Sequence, residues 1–233
     1  TNTDDDTAGI SVSPTSGLVT TEGGGSATFS IALNTQPTAT VTIGLTSNDN
    51  SEGTALPSGV TFTTANWNTP QTVTVTGVND DQADGDVAYT ISTAAAISTD
   101  ANYSGLNAAD VSVTNTDNDT AGITVSPTNG LVTSEASGTA TFTIVLNSQP
   151  WAHVTIGLTP SDASEGTVSP ASVTFTPADW STPQAVTATG VNDDLDDGDV
   201  QYAIVTAAAT SADGNYAGLN AADVSVTNTD NDT

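Results

Sequence analysis

Hydrophobic residues alternate with small polar residues along most of the chain. Phe29, Ile31 and Leu33, for example, are separated by Ser and Ala. A period of two, rich in β-branched residues, predicts half-buried strands in antiparallel sheets. The other alternating apolar positions of the first half are Ile10, Val12, Val41, Ile43, Leu45, Val60, Phe62, Val73, Val75, Val87, Tyr89, Ile91, Val111 and Val113.

Clusters of turn-forming residues separate these segments, among them EGGG, NTQP, NDNSEG, NWNTP, NDDQADGD and NYSGLN. The pattern predicts seven strands, A to G, in about 100 residues, with no helical periodicity. This combination is typical of an immunoglobulin-like sandwich. Tyr89 lies just after the predicted E–F loop, where such folds carry a tyrosine corner, and Tyr202 repeats it. We expect both tyrosines to belong to the core.

The chain contains an internal repeat. TAGI at 7–10 returns at 120–123, and VNDD at 78–81 returns at 191–194, both with an offset of 113 residues. A period this long fits one independent domain per unit, not a solenoid repeat. We therefore predict an all-β chain of two tandem immunoglobulin-like antiparallel β-sandwich domains. The first covers residues 7–119 and the second covers residues 120–233.

The start of the chain matches the end of each repeat. TNTDDDT at the beginning resembles the TNTDNDT that closes both units. We therefore interpret residues 1–6 as the tail of a preceding repeat. The sequence has no Met, even at position 1, which agrees with a mature or excised piece of a longer array.

The charge is one-sided. The chain has 27 acidic residues, no Lys and no Arg, for a formal net charge of −27. Binding to nucleic acid or to anionic membranes depends on basic residues, so both partners are excluded. The sequence has no Cys, which excludes disulfides and thiolate metal sites. We recognise no signal peptide and no apolar run long enough for a transmembrane helix.

The predicted topology gathers the acids at one end of each sandwich. Successive strands run between the two ends, so the A–B, C–D and E–F turns and the end of strand G share one end. In the first repeat nine acids fall at that end and two, Asp100 and Asp110, at the other. In the second repeat ten fall there, against three at the other end, Asp179, Asp213 and Asp223.

Two interpretations of this distribution of acids are possible: a solvated acidic surface or a metal site. Asp prefers turns and acidic surfaces are soluble, which explains why acids avoid strands but not why they favour one end. Crowded carboxylates repel one another unless a cation neutralises them. Oxygen ligands without imidazole or thiolate favour Ca²⁺, and Mg²⁺, with its strict octahedron, is the weaker candidate. The stretch beginning at Asp80 is not an EF-hand, because its twelfth position is Ile91 and strands flank it. Several loops must therefore assemble the site.

Three segments resemble the Calx-β family. TTEGGGSATFSIAL is similar to the opening of such a domain, TFTTANWNTPQTVTVTGVNDD to the D–E segment with its paired acids, and NTDND to the acidic terminus. The resemblance covers each unit nearly end to end, and extends to the extender repeats of giant bacterial surface adhesins. It implies an immunoglobulin-like fold with calcium at the end formed by these loops.

The resemblance also implies ligand candidates. In the first repeat these are Glu22, Asp49 or Glu52, Asp80, Asp81, Asp117 and Asp119; in the second they are Glu135, Asp162, Glu165, Asp193, Asp194, Asp230 and Asp232. The E–F loop departs from the family, because DGD replaces a Glu-rich continuation. Its acids Asp84, Asp86, Asp197 and Asp199 complete the predicted set.

These observations lead to a structural hypothesis. Only Thr120 to Gly122 separate Asp119 from the next predicted strand. One or more Ca²⁺ ions per repeat would then stiffen a short joint. We expect a calcium-binding spacer of a long extracellular adhesin or filament on a bacterial cell surface. Its expected partners are neighbouring repeats of the same chain, and association with other copies of the chain in a fibre stays an open alternative.

A second hypothesis is a calcium-dependent module that binds carbohydrate or another surface molecule. Trp67 with Trp180, and Tyr103 with Tyr216, recur at the end away from the acids and could stack on a sugar, although packing is their commoner role. An enzyme is not expected, since paired catalytic carboxylates need a cleft. The single His153 is replaced by Thr40 in the other repeat.

Overall fold

The chain consists of strands and loops throughout the part that the computed structural model describes, residues 6–232. It divides into two compact units, residues 1–80 with 84–118 (unit 1) and residues 81–83 with 119–233 (unit 2). Of the predicted tail at residues 1–6, all but Asp6 lie outside the described residues. Between residues 6 and 232 there is no helix long and apolar enough to cross a membrane.

Unit 1 contains a four-stranded and a six-stranded sheet. The smaller sheet has the order β1-β3-β7-β5, and the larger has the order β2-β10-β8-β4-β6 with β9 paired to β4. The strands are β1 Ile10–Ser13, β2 Leu18–Thr21, β3 Ser26–Leu33, β4 Val41–Ser47, β5 Gly53–Leu56, β6 Gly59–Phe62, β7 Gln71–Gly77, β8 Val87–Thr93, β9 Ile97–Ser98 and β10 Val111–Thr116.

Unit 2 repeats this topology strand for strand. Its sheets have the orders β11-β13-β17-β15 and β12-β20-β18-β14-β16, with β19 paired to β14. The strands are β11 Ile123–Ser126, β12 Leu131–Ser134, β13 Thr139–Leu146, β14 Val154–Pro160, β15 Gly166–Ser169, β16 Ser172–Phe175, β17 Gln184–Gly190, β18 Val200–Thr206, β19 Thr210–Ser211 and β20 Val224–Thr229. The prediction of two tandem β-sandwich domains is confirmed.

Each unit has its own core, built by the alternating residues. Along β3 the buried positions are Phe29, Ile31 and Leu33, with Ser30 and Ala32 half-buried between them. Removing such side chains from water is the main favourable contribution to folding. Tyr89 and Tyr202 are buried in the two cores, as predicted.

The predicted strand number is wrong: within residues 6–232, each unit has ten strands, not seven. The predicted strand A is two strands, β1 and β2, which lie in different sheets. Pro14 and Gly17 lie between them; Pro14 has no N–H for a ladder bond, and Gly17 has a φ of 75°. A further strand, β5, follows the predicted C–D turn.

Among the described residues, one strand pair in each unit is parallel. β10 pairs parallel with β2, from Val113 opposite Leu18 to Thr116 opposite Thr21, and β20 pairs with β12 in the same way. The other pairs are antiparallel. Because β2 and β10 run in the same direction, the loop after β2 and the end of β10 lie at the same end of the sandwich.

Candidate metal centre

The acidic loops of each unit meet at one end of the sandwich, which we call the acidic end. In unit 1 it carries Glu22 after β2, Glu52 before β5, the loop between β7 and β8, and Asp117 after β10. Backbone hydrogen bonds fix these loops to one another. Val78 N donates to Glu52 O at 3.0 Å, and Glu22 N donates to Thr116 O at 3.1 Å.

A first group of three carboxylates is centred on the glutamate before β5. In unit 1 it consists of Glu52, Asp80 and Asp84, each of which offers an oxygen within 4.8 Å of the others. We call this the Glu52 group. Unit 2 repeats it as Glu165, Asp193 and Asp197, the Glu165 group.

A second group is centred on the glutamate after the parallel edge strand. In unit 2, Glu135, Asp230 and Asp232 each offer a carboxylate oxygen within 4.8 Å of the others. We call this the Glu135 group. In unit 1, Glu22 corresponds to Glu135 and Asp117 corresponds to Asp230. Asp119 corresponds to Asp232, and it is the first residue of the segment 119–233 of unit 2.

The glutamates of these groups are buried, with exposed fractions between 4% and 7%. A buried carboxylate is unfavourable unless hydrogen bonds or opposite charges compensate it, and the sequence has no Lys or Arg. Each glutamate accepts one hydrogen bond from an Asn. The donors are Asn118 N to Glu22 (3.1 Å), Asn115 Nδ2 to Glu52 (3.3 Å), Asn231 N to Glu135 (3.1 Å) and Asn228 Nδ2 to Glu165 (3.3 Å).

The electrostatics of the acidic end favour protonation of several carboxylates. Burial raises the pKa of Glu52 most, the Asn115 amide opposes it, and the carboxylate of Asp84 adds repulsion. Burial, followed by repulsion from Asp230, also raises the pKa of Asp232. A divalent cation would reverse both effects, because it favours the charged form.

The Glu135 group balances opposing influences. The backbone amide of Asn231 is the largest influence on Glu135 and lowers its pKa. Burial and the neighbouring carboxylates together outweigh this hydrogen bond, so the pKa of Glu135 is raised. Asp232 Oδ2 is buried and has no hydrogen-bond partner among residues 6–232. Such an orphaned carboxylate oxygen fits a bound cation.

Four more predicted ligands hold the loops in place through hydrogen bonds. Asp86 Oδ1 accepts from Asp117 N at 3.2 Å, and Asp199 Oδ1 accepts from Asp230 N at 3.3 Å. Asp49 and Asp162 accept from the backbone and hydroxyl of Ser51 and Ser164, and these bonds lower their pKa. Asp81 and Asp194 belong to neither group.

The oxygen-only donor sets match a hard divalent ion. Each group offers three carboxylates, and backbone carbonyls and water can complete the six to eight oxygens that Ca²⁺ accepts. The loop aspartates that the Calx-β resemblance left outside its ligand set, Asp84 and Asp197, lie inside the groups. The amide donors Asn115 and Asn228 were not predicted. Their exact repetition in VTNTDND, at the inward positions of the last strand, is the signal that could have found them.

Comparisons with known proteins gave structural neighbours only. No protein-family model matches the chain, and no curated protein matches it. The crystal structure of CBD12 from CALX1.2 is 11% identical, with a TM-score of 0.38, covering 86% of this chain and 80% of that chain. The apo-form Calx CBD1 domain is 14% identical, with a TM-score of 0.37, covering 47% of this chain and 96% of that chain. The periplasmic chaperone SfaE is 11% identical, with a TM-score of 0.38, covering 94% and 99%. The interpretation of the carboxylate groups as candidate metal sites therefore rests on the geometry of this chain alone.

Proposed function

We propose that each unit binds Ca²⁺ at its acidic end and that the chain is a calcium-stabilised spacer of an extracellular surface protein. The observation that carries the proposal is the grouping of buried glutamates with loop aspartates in a chain that has no Lys and no Arg. These carboxylates destabilise the metal-free fold, since like charges are held together where water screens them little. An ion would turn this repulsion into attraction.

Calcium suits the sites better than magnesium does. The carboxylates come from separate loops and differ in burial, which favours an irregular coordination sphere. Ca²⁺ accepts such a sphere, whereas Mg²⁺ requires a near-ideal octahedron and gives up its water reluctantly. Extracellular calcium modules bind with Kd values of about 10⁻⁴ to 10⁻³ M, so the proposed sites fill outside the cell.

The positions of the proposed ligands in the sequence support the spacer role. Asp230 and Asp232 follow the last strand of unit 2, and Glu135 follows β12 near its start. An ion shared by these residues would fasten the outgoing chain to its own sandwich. In a tandem array, where three residues separate Asp119 from β11, this attachment would reduce bending at each joint.

Stacking on carbohydrate has less support. The rings of Tyr103 and Tyr216 are 1% exposed, so a sugar cannot reach them. The Tyr103 hydroxyl also bonds to Thr35, accepting from its amide and donating to its carbonyl. Trp67 and Trp180 pack against the cores as partly buried residues. These aromatics are better explained as packing residues.

Calorimetric titration of the full chain with CaCl₂, after treatment with a chelator, tests the proposal. We expect saturable binding with at least one ion per unit, and much weaker binding of MgCl₂ in a parallel titration. Small-angle scattering at the two end points would report stiffness, with a narrower distribution of lengths expected in calcium. Absence of calcium binding at millimolar concentrations would contradict the metal site. Binding without any change in scattering would contradict only the spacer role.

A further inference from the structure

In each unit, hydrogen bonds between buried polar side chains connect a core tyrosine to a glutamate of the acidic end. The glutamates are Glu52 and Glu165. In unit 1, the Tyr89 hydroxyl lies 3.1 Å from Thr20 Oγ1, which donates to Asn115 Oδ1 at 3.0 Å. Asn115 Nδ2 then donates to Glu52 Oε2 at 3.3 Å. We call this line the Asn115 relay. Its members repeat in unit 2 as Tyr202, Thr133, Asn228 and Glu165, the Asn228 relay.

The chemistry of the partners fixes the orientation of each amide. Asn115 Nδ2 faces two acceptors, the Glu52 carboxylate and the Val78 carbonyl, the latter at 3.1 Å. Its Oδ1 faces the Thr20 hydroxyl, which has a single hydrogen to donate. With that hydrogen used on Asn115, the Tyr89 hydroxyl must donate to Thr20. The flipped amide would set its oxygen against the Glu52 carboxylate and the Val78 carbonyl, neither of which has a hydrogen to donate.

Glycines make room for the relay. A Cβ at Gly77 would overlap Asn115 Oδ1 and the carbonyl oxygen of Thr21, and a Cβ at Gly53 would overlap the Tyr89 hydroxyl. Gly190 and Gly166 stand in the same relation to Asn228 and Tyr202. The asparagines are 1% exposed in both units. The backbone is thus shaped around these side chains.

We propose that Asn115 and Asn228 are positioning residues, which orient the Glu52 and Glu165 carboxylates toward the bound calcium ion. The inference rests on the proposed function and adds a residue to it that is not itself a ligand. A neutral amide suits the task, because it fixes one carboxylate oxygen and leaves the full negative charge for the ion. A Lys or Arg at this position would compete with calcium for the same charge.

A purely structural role predicts a different outcome. If the amide only satisfied a buried polar network, its loss would lower the stability of the fold and leave the ion's coordination unchanged. If it positions the glutamate, its loss lets the carboxylate turn away from the ion, and water fills the vacated coordination position. Outer partners of metal ligands typically change metal affinity by about 10- to 100-fold.

The test uses the full chain with both asparagines changed, Asn115→Ala with Asn228→Ala. The matched control is Asn34→Ala with Asn147→Ala, which removes repeated asparagines that accept from Ser11 and Thr124 outside the acidic end. Calcium affinity is measured by calorimetry. Terbium(III) luminescence lifetimes in H₂O and D₂O then count the water molecules on the bound ion, a quantity that fold stability alone does not set.

We expect the Asn115/Asn228 pair to lower calcium affinity by about 10-fold or more and to add at least one water to bound terbium. The control pair should leave both unchanged. A second pair, Thr20→Val with Thr133→Val, keeps the asparagines and removes only the hydroxyls that orient them. It should lower affinity several-fold, and it serves as the deciding variant if the alanine pair does not fold.

The outcomes separate the two proposals. If the unaltered chain binds neither calcium nor terbium, the proposed function fails and the positioning role fails with it. If the unaltered chain binds both ions and the folded variants keep the same affinity and water count, only the positioning role is overturned. The asparagines would then be structural residues of the core.

Discussion

In unit 1, the two ends of the sandwich shift the pKa of a buried carboxylate in opposite directions. At the end away from the metal groups, Asp100 accepts from the backbone amides of Thr38 (2.7 Å) and Asn102 (2.9 Å), which lower its pKa. At the acidic end, burial and neighbouring carboxylates raise the pKa of Glu52. Both side chains are at least nine-tenths buried. Burial alone therefore does not decide the direction of the pKa shift, because the hydrogen-bond donors that face Asp100 outweigh its burial.

Unit 2 repeats the arrangement of the groups that face these carboxylates. Asp213 accepts from the amides of Trp151 (3.0 Å) and Asn215 (2.9 Å), whereas Glu165 lies in a group with Asp193 and Asp197. We call the end that carries Asp100 or Asp213 the amide end. A carboxylate there has both oxygens hydrogen-bonded to backbone amides of the protein. The grouped carboxylates of the acidic end face one another, which is the arrangement that the proposed cation would stabilise.

The largest expected effect is the response of stability to calcium. An ion that binds only the folded state raises the free energy of unfolding by about 2.7 kcal/mol at a free concentration 100 times its Kd. Urea unfolding of the chain with excess CaCl₂ and with chelator measures this difference. Sodium chloride at equal ionic strength is the control, because screening alone should give a much smaller rise. Equal stabilisation by both salts would contradict a specific site.

The next largest effect should come from removing the buried glutamate charges of the acidic end. Glu52→Gln with Glu165→Gln should lower calcium affinity about tenfold or more, since ligand charge sets the affinity of such sites. The same change should stabilise the metal-free protein by removing repulsion.

Asp100→Asn with Asp213→Asn is the matched pair from the amide end. It should destabilise the metal-free protein, because each aspartate accepts with both oxygens and Asn has an NH2 group in place of one of them. It should leave calcium affinity unchanged. Calorimetry measures the calcium affinity of both pairs of variants, and thermal unfolding measures their stability without metal. If the two pairs behave alike, the distinction between the ends is wrong.

A smaller effect should come from the tyrosine hydroxyls of unit 1. Tyr103→Phe at the amide end and Tyr89→Phe near the acidic end each remove buried hydrogen bonds, which lowers stability by about 1 kcal/mol or somewhat more. Only Tyr89→Phe should also weaken calcium binding, because its hydroxyl contacts Thr20 in the Asn115 relay. Urea unfolding and calcium titration of the two variants distinguish these results. Equal calcium affinity in both variants would contradict the expectation that the Tyr89 hydroxyl helps to orient the Asn115 relay.

The smallest effect should be on the pH dependence of the metal-free protein. The raised pKa of Glu52 means that the folded state binds more protons than the unfolded state between the ordinary and the raised value. Stability therefore increases as the pH falls through that window. The lowered pKa of Asp100 acts in the opposite sense, and its contribution is lost as the pH falls through the lowered value.

Unfolding measured from pH 7 to pH 3 should thus show a maximum on the acid side of neutrality. Glu52→Gln should reduce the rise toward that maximum, and Asp100→Asn should reduce the fall below it. A stability curve that only declines from pH 7 downward would contradict the assignment at the acidic end.

The sequence predicts the architecture well because the alternation is local. Phe29, Ile31 and Leu33 face the core because a strand turns every second side chain to the same face. The collection of acids at one end also follows from strand direction. The sequence does not predict the break between β1 and β2. The two halves of this segment pair with strands that are distant in sequence, so the sheet that each half joins is set by tertiary structure.

The division of acids into groups was also beyond the sequence. Glu52 faces Asp80 and Asp84 because Val78 N bonds to the Glu52 carbonyl and brings the two loops together. Nothing in the spacing distinguishes Asp84 from Asp86, which bonds to a backbone amide instead. The role of Asn115 is not evident from the sequence for a different reason. It continues the inward alternation of Val111 and Val113, but a polar residue at this position is also typical of the end of a strand.

The parallel pairing of β2 with β10 has a mechanical consequence. The two strands belong to the first and last parts of unit 1 and are joined in register from Leu18 and Val113 to Thr21 and Thr116. Tension pulling the chain from both sides would slide them past each other, so the hydrogen bonds between them carry the load together and do not open one by one. We expect high unfolding forces in single-molecule extension. Gly or Pro placed in β2 should lower them more than the same change in the peripheral strand β9.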